Sequence, residues 1–455
     1  MLIAGFVGAL LLLLAVVRVA PEMVKYTPAL VFGAVAFLAA WVQPSVRFAV
    51  LIAGFVALTD YVPGIQLAEV AYGLFFLAYL AHWGYAKVLI EHRKILETPA
   101  DFGVLTLLVV VICYVPISLL FGANTAALVG ELSAFVLFAI YFPAKDAMVR
   151  LRYGPAIVLG CVLFIGVFVS IRNILEYKTL LLHATQAWQV AKGRVVTNDN
   201  ILMVVCLYSL TLFSFARHGI ARLGLLGLFL MFFAALILTQ SRGYWLGFML
   251  GGLILLVWLP PAQRRRLMLL AFGALLAGGS LAFLFFSNEV AVVIAGLLDR
   301  LFSLLTATST DISLVNRFRE TAAVWEMIKV NPVLGYGMGV AYPFFDIAHM
   351  ATETDSFVHN GYVSMWYRYG LPGLGLVLWI WFSSIRSGIR AFRFRHAAMT
   401  TRLCGLASAV TLSAFLLTTN TSNPFYLNDT LFIFGFLLAV SQGALLRIRS
   451  NAEAL

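Results

Sequence analysis

The chain reads as long blocks of Leu, Ala, Val and Phe, each broken by a few polar or charged residues. A helix crosses the hydrocarbon core of a bilayer with roughly 20 apolar residues. Blocks of about that size fall near residues 2–19, 28–42, 46–60, 67–84, 102–120, 125–142, 155–172, 200–216, 222–239, 243–259, 267–287, 361–384, 403–420 and 428–446. None alternates as barrel strands would, and backbone in lipid must satisfy its own hydrogen bonds, so the blocks predict helices. The pattern gives fourteen spans, or twelve if the short second and third, split by Gln43-Pro44, form one re-entrant hairpin. Leu2–Val17 lacks a basic leader and a small-residue cleavage site, so it reads as the first span rather than a signal peptide.

Composition agrees with a bundle in lipid. Of 455 residues 62% are hydrophobic and 11% charged, against about 25% charged in soluble domains. The net charge of +11 does not point to nucleic acid, because the basic residues sit in short loops between apolar blocks, where they orient spans. The sets are Lys87, Arg93 and Lys94; Lys145, Arg150 and Arg152; Arg217 and Arg222; Arg264, Arg265 and Arg266; Arg386, Arg390, Arg393, Arg395 and Arg402; and Arg447 and Arg449. Two spans separate each set from the next, so all six and both termini are expected on the cytoplasmic side. Cys113, Cys161, Cys206 and Cys404 lie in apolar blocks without metal-type spacing, so neither a disulfide framework nor a zinc site is predicted.

The opposite face then carries the segment 172–199, the turn from Thr239 to Arg242, a long loop near 288–360 and the turn 420–428. The loop holds four basic and eight acidic residues and is too long for a connector. Val290–Ala307 is apolar enough for an interfacial helix. Asn316–Val330 predicts an amphipathic helix with Phe318, Ala322, Trp325 and Ile328 on one face, stopped by Asn331-Pro332. Gly335, Gly337 and Gly339 follow and suit a tight turn; with no preceding strand and no G-x-G-x-x-G, they are a poor nucleotide site. The chain divides into a transmembrane bundle (1–200), helices with the polar turn (201–287), the outer-face loop (288–360) and C-terminal spans (361–455). No internal repeat is evident, which weakens a transporter reading.

Three places on the outer face can carry chemistry. Thr239-Gln240-Ser241-Arg242-Gly243 joins two apolar blocks, and an arginine so close to hydrocarbon either snorkels or has a partner. Arg317 and Arg319 lie two apart on the loop helix and so face roughly opposite ways; each could equally bridge to Glu320 or Asp355 on the surface. His359, in Asp355-Ser356-Phe357-Val358-His359-Asn360, stands at the mouth of a span, and Asp355 would share its helix face if that helix starts early. An interfacial histidine bonded to backbone is the alternative. Taken together, arginines and a histidine at the membrane boundary suit a substrate with a diphosphate head and a lipid tail. Arginine forks pair with phosphate oxygens and stabilise charge on a departing diphosphate without a metal. A diphosphate leaves without a proton, so only the nucleophile needs a base, and His359 can serve.

With these motifs the chain resembles the superfamily of O-antigen ligases and Wzy-type polymerases of bacterial polysaccharide assembly. The resemblance rests on Ser241-Arg242-Gly243, on Arg317 followed by Pro332-Val333-Leu334-Gly335-Tyr336-Gly337-Met338-Gly339, on His359-Asn360 opening a span, and on Gly370-Leu371-Pro372-Gly373 inside it. It covers roughly residues 200–440. Family members often carry a tryptophan four residues after the loop arginine; here that position is Thr321 and the tryptophan is Trp325. The resemblance implies a GT-C-like helical fold and a metal-independent, cofactor-free, inverting glycosyltransferase of the bacterial inner membrane. It would move a glycan from undecaprenyl diphosphate to an acceptor hydroxyl, on lipid A-core for a ligase or on a second lipid-linked glycan for a polymerase. Arg242 and Arg317 or Arg319 would bind the diphosphate and His359 would activate the acceptor, with Ser241, Asn360, Asp355 and Gly337 in support. Arg194, in the segment Lys192–Asn200, is a further candidate for donor binding, beside the plain reading of a polar loop. From a different class, a glycolipid flippase or solute transporter would use the same arginines only to hold a phosphate.

Overall fold

The computed structural model describes residues 43–58, 67–183, 195, 198–269, 273, 312–347 and 349–453. The candidate spans at 2–19 and 28–42, most of that at 267–287, the interfacial segment Val290–Ala307 and Arg194 lie outside the described residues.

The described chain is an all-α polytopic bundle. Its helices are α1 (Pro44–Leu58), α2 (Leu67–Tyr85), α3 (Pro99–Leu120), α4 (Thr125–Phe138), α5 (Tyr141–Arg150), α6 (Gly154–His183), α7 (Asp199–Phe215), α8 (Gly219–Leu238), α9 (Arg242–Trp258), α10 (Ile312–Val330), α11 (Gly361–Arg393), α12 (Met399–Thr418) and α13 (Asn428–Glu453). A further helical stretch covers 261–269. Seven described helices are long and apolar enough to cross a membrane, and three shorter apolar ones accompany them. Most begin and end close to the hydropathy blocks, because a span's length is set by the bilayer. The exceptions are α6, whose 30 residues run well past the block at 155–172, and α11, whose 33 residues run past that at 361–384.

Three helices form the centre. Along α13 nearly every apolar residue from Leu431 to Ile448 is buried, and α12 and α7 are enclosed likewise. The outer helices α2, α3 and α8 turn bulky apolar residues outward, among them Leu74, Ile112 and Leu223, as lipid-facing walls do. The basic loops gather at one end. Lys87 pairs with Asp146 at 3.3 Å, Arg447 donates to the carbonyls of Met148, Val149, Leu151 and Arg152, and Arg393 stacks 4.9 Å over Trp258. There Thr98 and Asp101 form a capping box that starts α3, and the same carboxylate takes Lys145 Nζ at 2.6 Å and the Tyr141 hydroxyl.

The opposite end holds the loop, which is not wholly helical. After α10 comes an antiparallel hairpin, β1 (Tyr342–Asp346) and β2 (Ala351–Asp355), with Tyr342 opposite Asp355. The apolar stripe expected on α10, Phe318, Ala322, Trp325 and Ile328, is not the buried face as a whole. Phe318, Ala322 and Trp325 are exposed, and Glu320, Val324 and Ile328 are buried. Beside a membrane, apolar side chains can face either protein or lipid, so hydrophobicity alone picks the wrong face.

The glycines of the loop and of α11 interlock. Gly335, Gly337 and Gly339 all have positive φ, and Gly370, at φ 64°, breaks α11. Tyr336 N and Gly337 N donate to the carbonyls of Tyr367 and Arg368 just before that break. A side chain on Gly370 would meet the Val333 carbonyl at 1.8 Å, and one on Gly337 would meet Ser118 Oγ at 2.2 Å. Both motifs therefore need glycine to let one backbone lie on the other.

Candidate functional site

A single turn, Thr419–Pro424, between α12 and α13, joins the three candidate places. Arg317 Nη1 donates to Thr421 O at 3.0 Å. Gly243 lies so close that a Cβ there would sit 2.4 Å from Thr421 Oγ1, and Tyr244 Oη meets Ser422 Oγ at 2.9 Å. Gly361 N donates to Thr419 O at 2.8 Å, and Asn423 Nδ2 to Val358 O at 2.9 Å. The start of α9 with half-buried Arg242, the middle of α10 with Arg317, and the strap carrying His359 thus converge on six residues.

Each approach has a local cause. Gln240 takes a positive φ of 51°, which turns the chain sharply between α8 and α9 and leaves Arg242 as the first residue of α9. Ser241 Oγ donates to Asp199 Oδ2 at 2.5 Å and ties that turn to the start of α7. Asn360 caps α11, its Oδ1 accepting from Tyr362 N and Val363 N, each at 3.1 Å.

His359 is about one-third exposed, and its Nδ1 lies 2.7 Å from Glu320 Oε2, a carboxylate that is 8% exposed. A carboxylate on Nδ1 fixes the ring orientation and, in the neutral ring, selects the tautomer whose Nε2 is free to take a proton. Three consecutive carbonyls before the histidine are also held, each from a different element. Arg368 Nη2 binds Ser356 O at 2.9 Å, the Tyr342 hydroxyl binds Phe357 O at 2.6 Å, and Asn423 binds Val358 O. Burial pushes the Tyr342 hydroxyl well above its usual range, so it remains a donor. Arg368 itself is buried and salt-bridged to buried Glu131, whose Oε1 also accepts from Gly339 N.

The other expected residues sit differently. Asp355 does not share a helix face with His359: α11 starts only at Gly361, and Asp355 ends β2, exposed, with Oδ1 accepting from Phe357 N. Glu320, considered from the sequence only as a surface partner for an arginine, takes the place expected of Asp355. Its signal was a charge in register with Val324 and Ile328 on one stripe of α10. Arg319 is exposed and stacks 5.5 Å over Phe345 on the hairpin, so the two loop arginines part, one to the turn and one to the hairpin. Gly337 is a packing position. At the hairpin turn, Asp346, His349 and Glu353 each place one metal-capable atom within 4.8 Å of the others; the histidine's Nδ1 lies 3.2 Å from Asp346 Oδ2 and 2.7 Å from Glu353 Oε1.

The fold and this arrangement define a polytopic helical membrane protein with an arginine- and histidine-bearing site at the end of its bundle away from the basic loops. Residues 226–380 match the family model for O-antigen ligase. The match runs from α8 into α11 and takes in Ser241, Arg242, Arg317, Arg319, Glu320, His359, Asn360 and Arg368, within the part of the chain that carries the resemblance seen in the sequence. No curated protein matches the chain.

Proposed function

We propose that the protein is a glycosyltransferase that moves a glycan from undecaprenyl diphosphate to an acceptor hydroxyl at the periplasmic face of a bacterial inner membrane. The observation that carries this reading is the convergence of Arg317, the Arg242 turn and the His359–Glu320 pair on the Thr419–Pro424 turn. His359 Nε2 takes the proton of the acceptor hydroxyl while that oxygen forms its bond to the anomeric carbon. The bond from that carbon to the diphosphate oxygen breaks on the opposite side, and the electron pair leaves with the diphosphate. One displacement inverts the anomeric configuration. Arg242 and Arg317 supply the positive charge the leaving diphosphate needs, so no metal is required. Base catalysis of this kind contributes about 10² to 10⁴ in rate.

The acceptor we favour is lipid A-core, which makes the enzyme a ligase. Purified protein given lipid-linked glycan and acceptor should release undecaprenyl diphosphate. Donor recovered with its glycosidic bond intact would identify a flippase or transporter. Glycolipids of a deletion strain settle the acceptor: a ligase leaves bare core and accumulated lipid-linked polymer, a polymerase leaves core bearing single repeats.

A further inference from the structure

At the basic end of the bundle a cavity of about 290 Å³ is lined by Ser214, Phe215, Ala216, Arg217, Arg222, Gln263, Arg266 and Met399. It lies far from His359. Helix α7 runs from Asp199, bonded to Ser241, to Phe215 in the cavity wall, and its 17 residues span roughly 25 Å.

Three arginines line this space. None of the ion pairs among the described residues involves Arg217, Arg222 or Arg266. Arg222 spends one nitrogen on Ala216 O at 3.0 Å, while its Nε is buried with no hydrogen-bond partner. A snorkelling arginine that only orients a span leaves its nitrogens in water, as exposed Arg217 and Arg266 do, whereas Arg222 holds one out of it. A buried donor without a partner costs about 1–3 kcal/mol, and an anion seated among the arginines removes that cost. The cavity's flanks add a second demand. Ile220 and Leu223 beside Arg222, and Met268 and Leu269 beside Arg266, are 91%, 71%, 57% and 64% exposed. A ligand that satisfies both features has a phosphate head and apolar chains.

We infer that this cavity binds the phosphate headgroup of an anionic phospholipid, with the acyl chains along Ile220, Leu223, Met268 and Leu269. Basic pockets between spans at the positively charged face of a membrane protein suit such headgroups. The site is separate from the proposed donor site and does not depend on it.

The test uses the full-length protein in detergent, with retained phosphatidylglycerol and phosphatidylcholine counted by native mass spectrometry. Wild type should prefer phosphatidylglycerol. Each arginine near an anionic lipid contributes about fivefold in affinity, so Arg217→Gln/Arg222→Gln/Arg266→Gln should lose about 100-fold. Arg217→Gln/Arg266→Gln removes only exposed side chains and no ion pair among the described residues; it should fold and lose about 25-fold. Arg386→Gln/Arg390→Gln/Arg395→Gln removes equal charge from exposed positions elsewhere at this end and should keep the preference. Equal retention of the two lipids by wild type, an undiminished preference in the double variant, or the same loss in the Arg386 triple would overturn the assignment. Full displacement of the lipid by inorganic phosphate would overturn it too, since the apolar flanks would then contribute nothing.

Discussion

Replacing Glu320 by Gln changes almost nothing in shape and removes one charge 2.7 Å from His359 Nδ1. A hydrogen bond to a charged group contributes about 1.5–3 kcal/mol, and 1.36 kcal/mol is a factor of ten in rate, so the loss should be about 10- to 100-fold. The ceiling is the whole contribution of the base, about 10² to 10⁴. The loss should fall on kcat, because Glu320 meets the ring at Nδ1, away from the nitrogen that meets the acceptor. An amide can also donate to Nδ1, which would place the ring proton on Nε2 and disarm it. The assay is release of undecaprenyl diphosphate from lipid-linked donor by protein in nanodiscs, over a range of donor and acceptor concentrations. Residues that act as one unit are not additive, so in a His359→Ala background Glu320→Gln should cost nothing further. A full additional loss in that background, or wild-type kcat in Glu320→Gln alone, would refute the pairing.

Other outcomes follow from the same contacts. Arg317→Ala should raise the KM for donor well beyond Arg319→Ala, and Arg317→Lys should rescue it poorly because a point charge cannot replace the fork; equal effects at both positions would reverse the assignment of Arg317. Glu131→Gln leaves buried Arg368 uncompensated and should cost about 3–5 kcal/mol, read as a lower Tm, with partial recovery in Glu131→Gln/Arg368→Met. Gly370→Ala forces a side chain into the Val333 carbonyl at a positive φ and should sharply reduce folded yield, whereas Gly375→Ala, in the same helix with nothing within 4 Å, should be silent.

The described spans were legible because bilayer thickness sets their length, and the glycine runs because close backbone approach excludes any Cβ. The hairpin at 342–355 was not. Tyr342, Phe344 and Asp346 do alternate inward on β1, but five residues with a proline carry little strand signal. Glu320 was hidden by the aromatic residues of α10, since Phe318 and Trp325 suggested a packing face that turns outward. The pairing of Glu131 with Arg368, 237 positions apart, is a product of topology. Glu131 still carried a warning, because a carboxylate in an apolar span is expensive unless something pairs with it.

The central claim is that His359 is the base for glycan transfer at a site whose donor contacts are made by others. The most direct test measures cleavage of the donor's glycosidic bond and donor binding side by side in wild type and His359→Ala. The account predicts binding within about twofold of wild type and transfer reduced by about 10² to 10⁴. Transfer at the wild-type rate in His359→Ala would contradict it, as would donor binding lost in step with transfer.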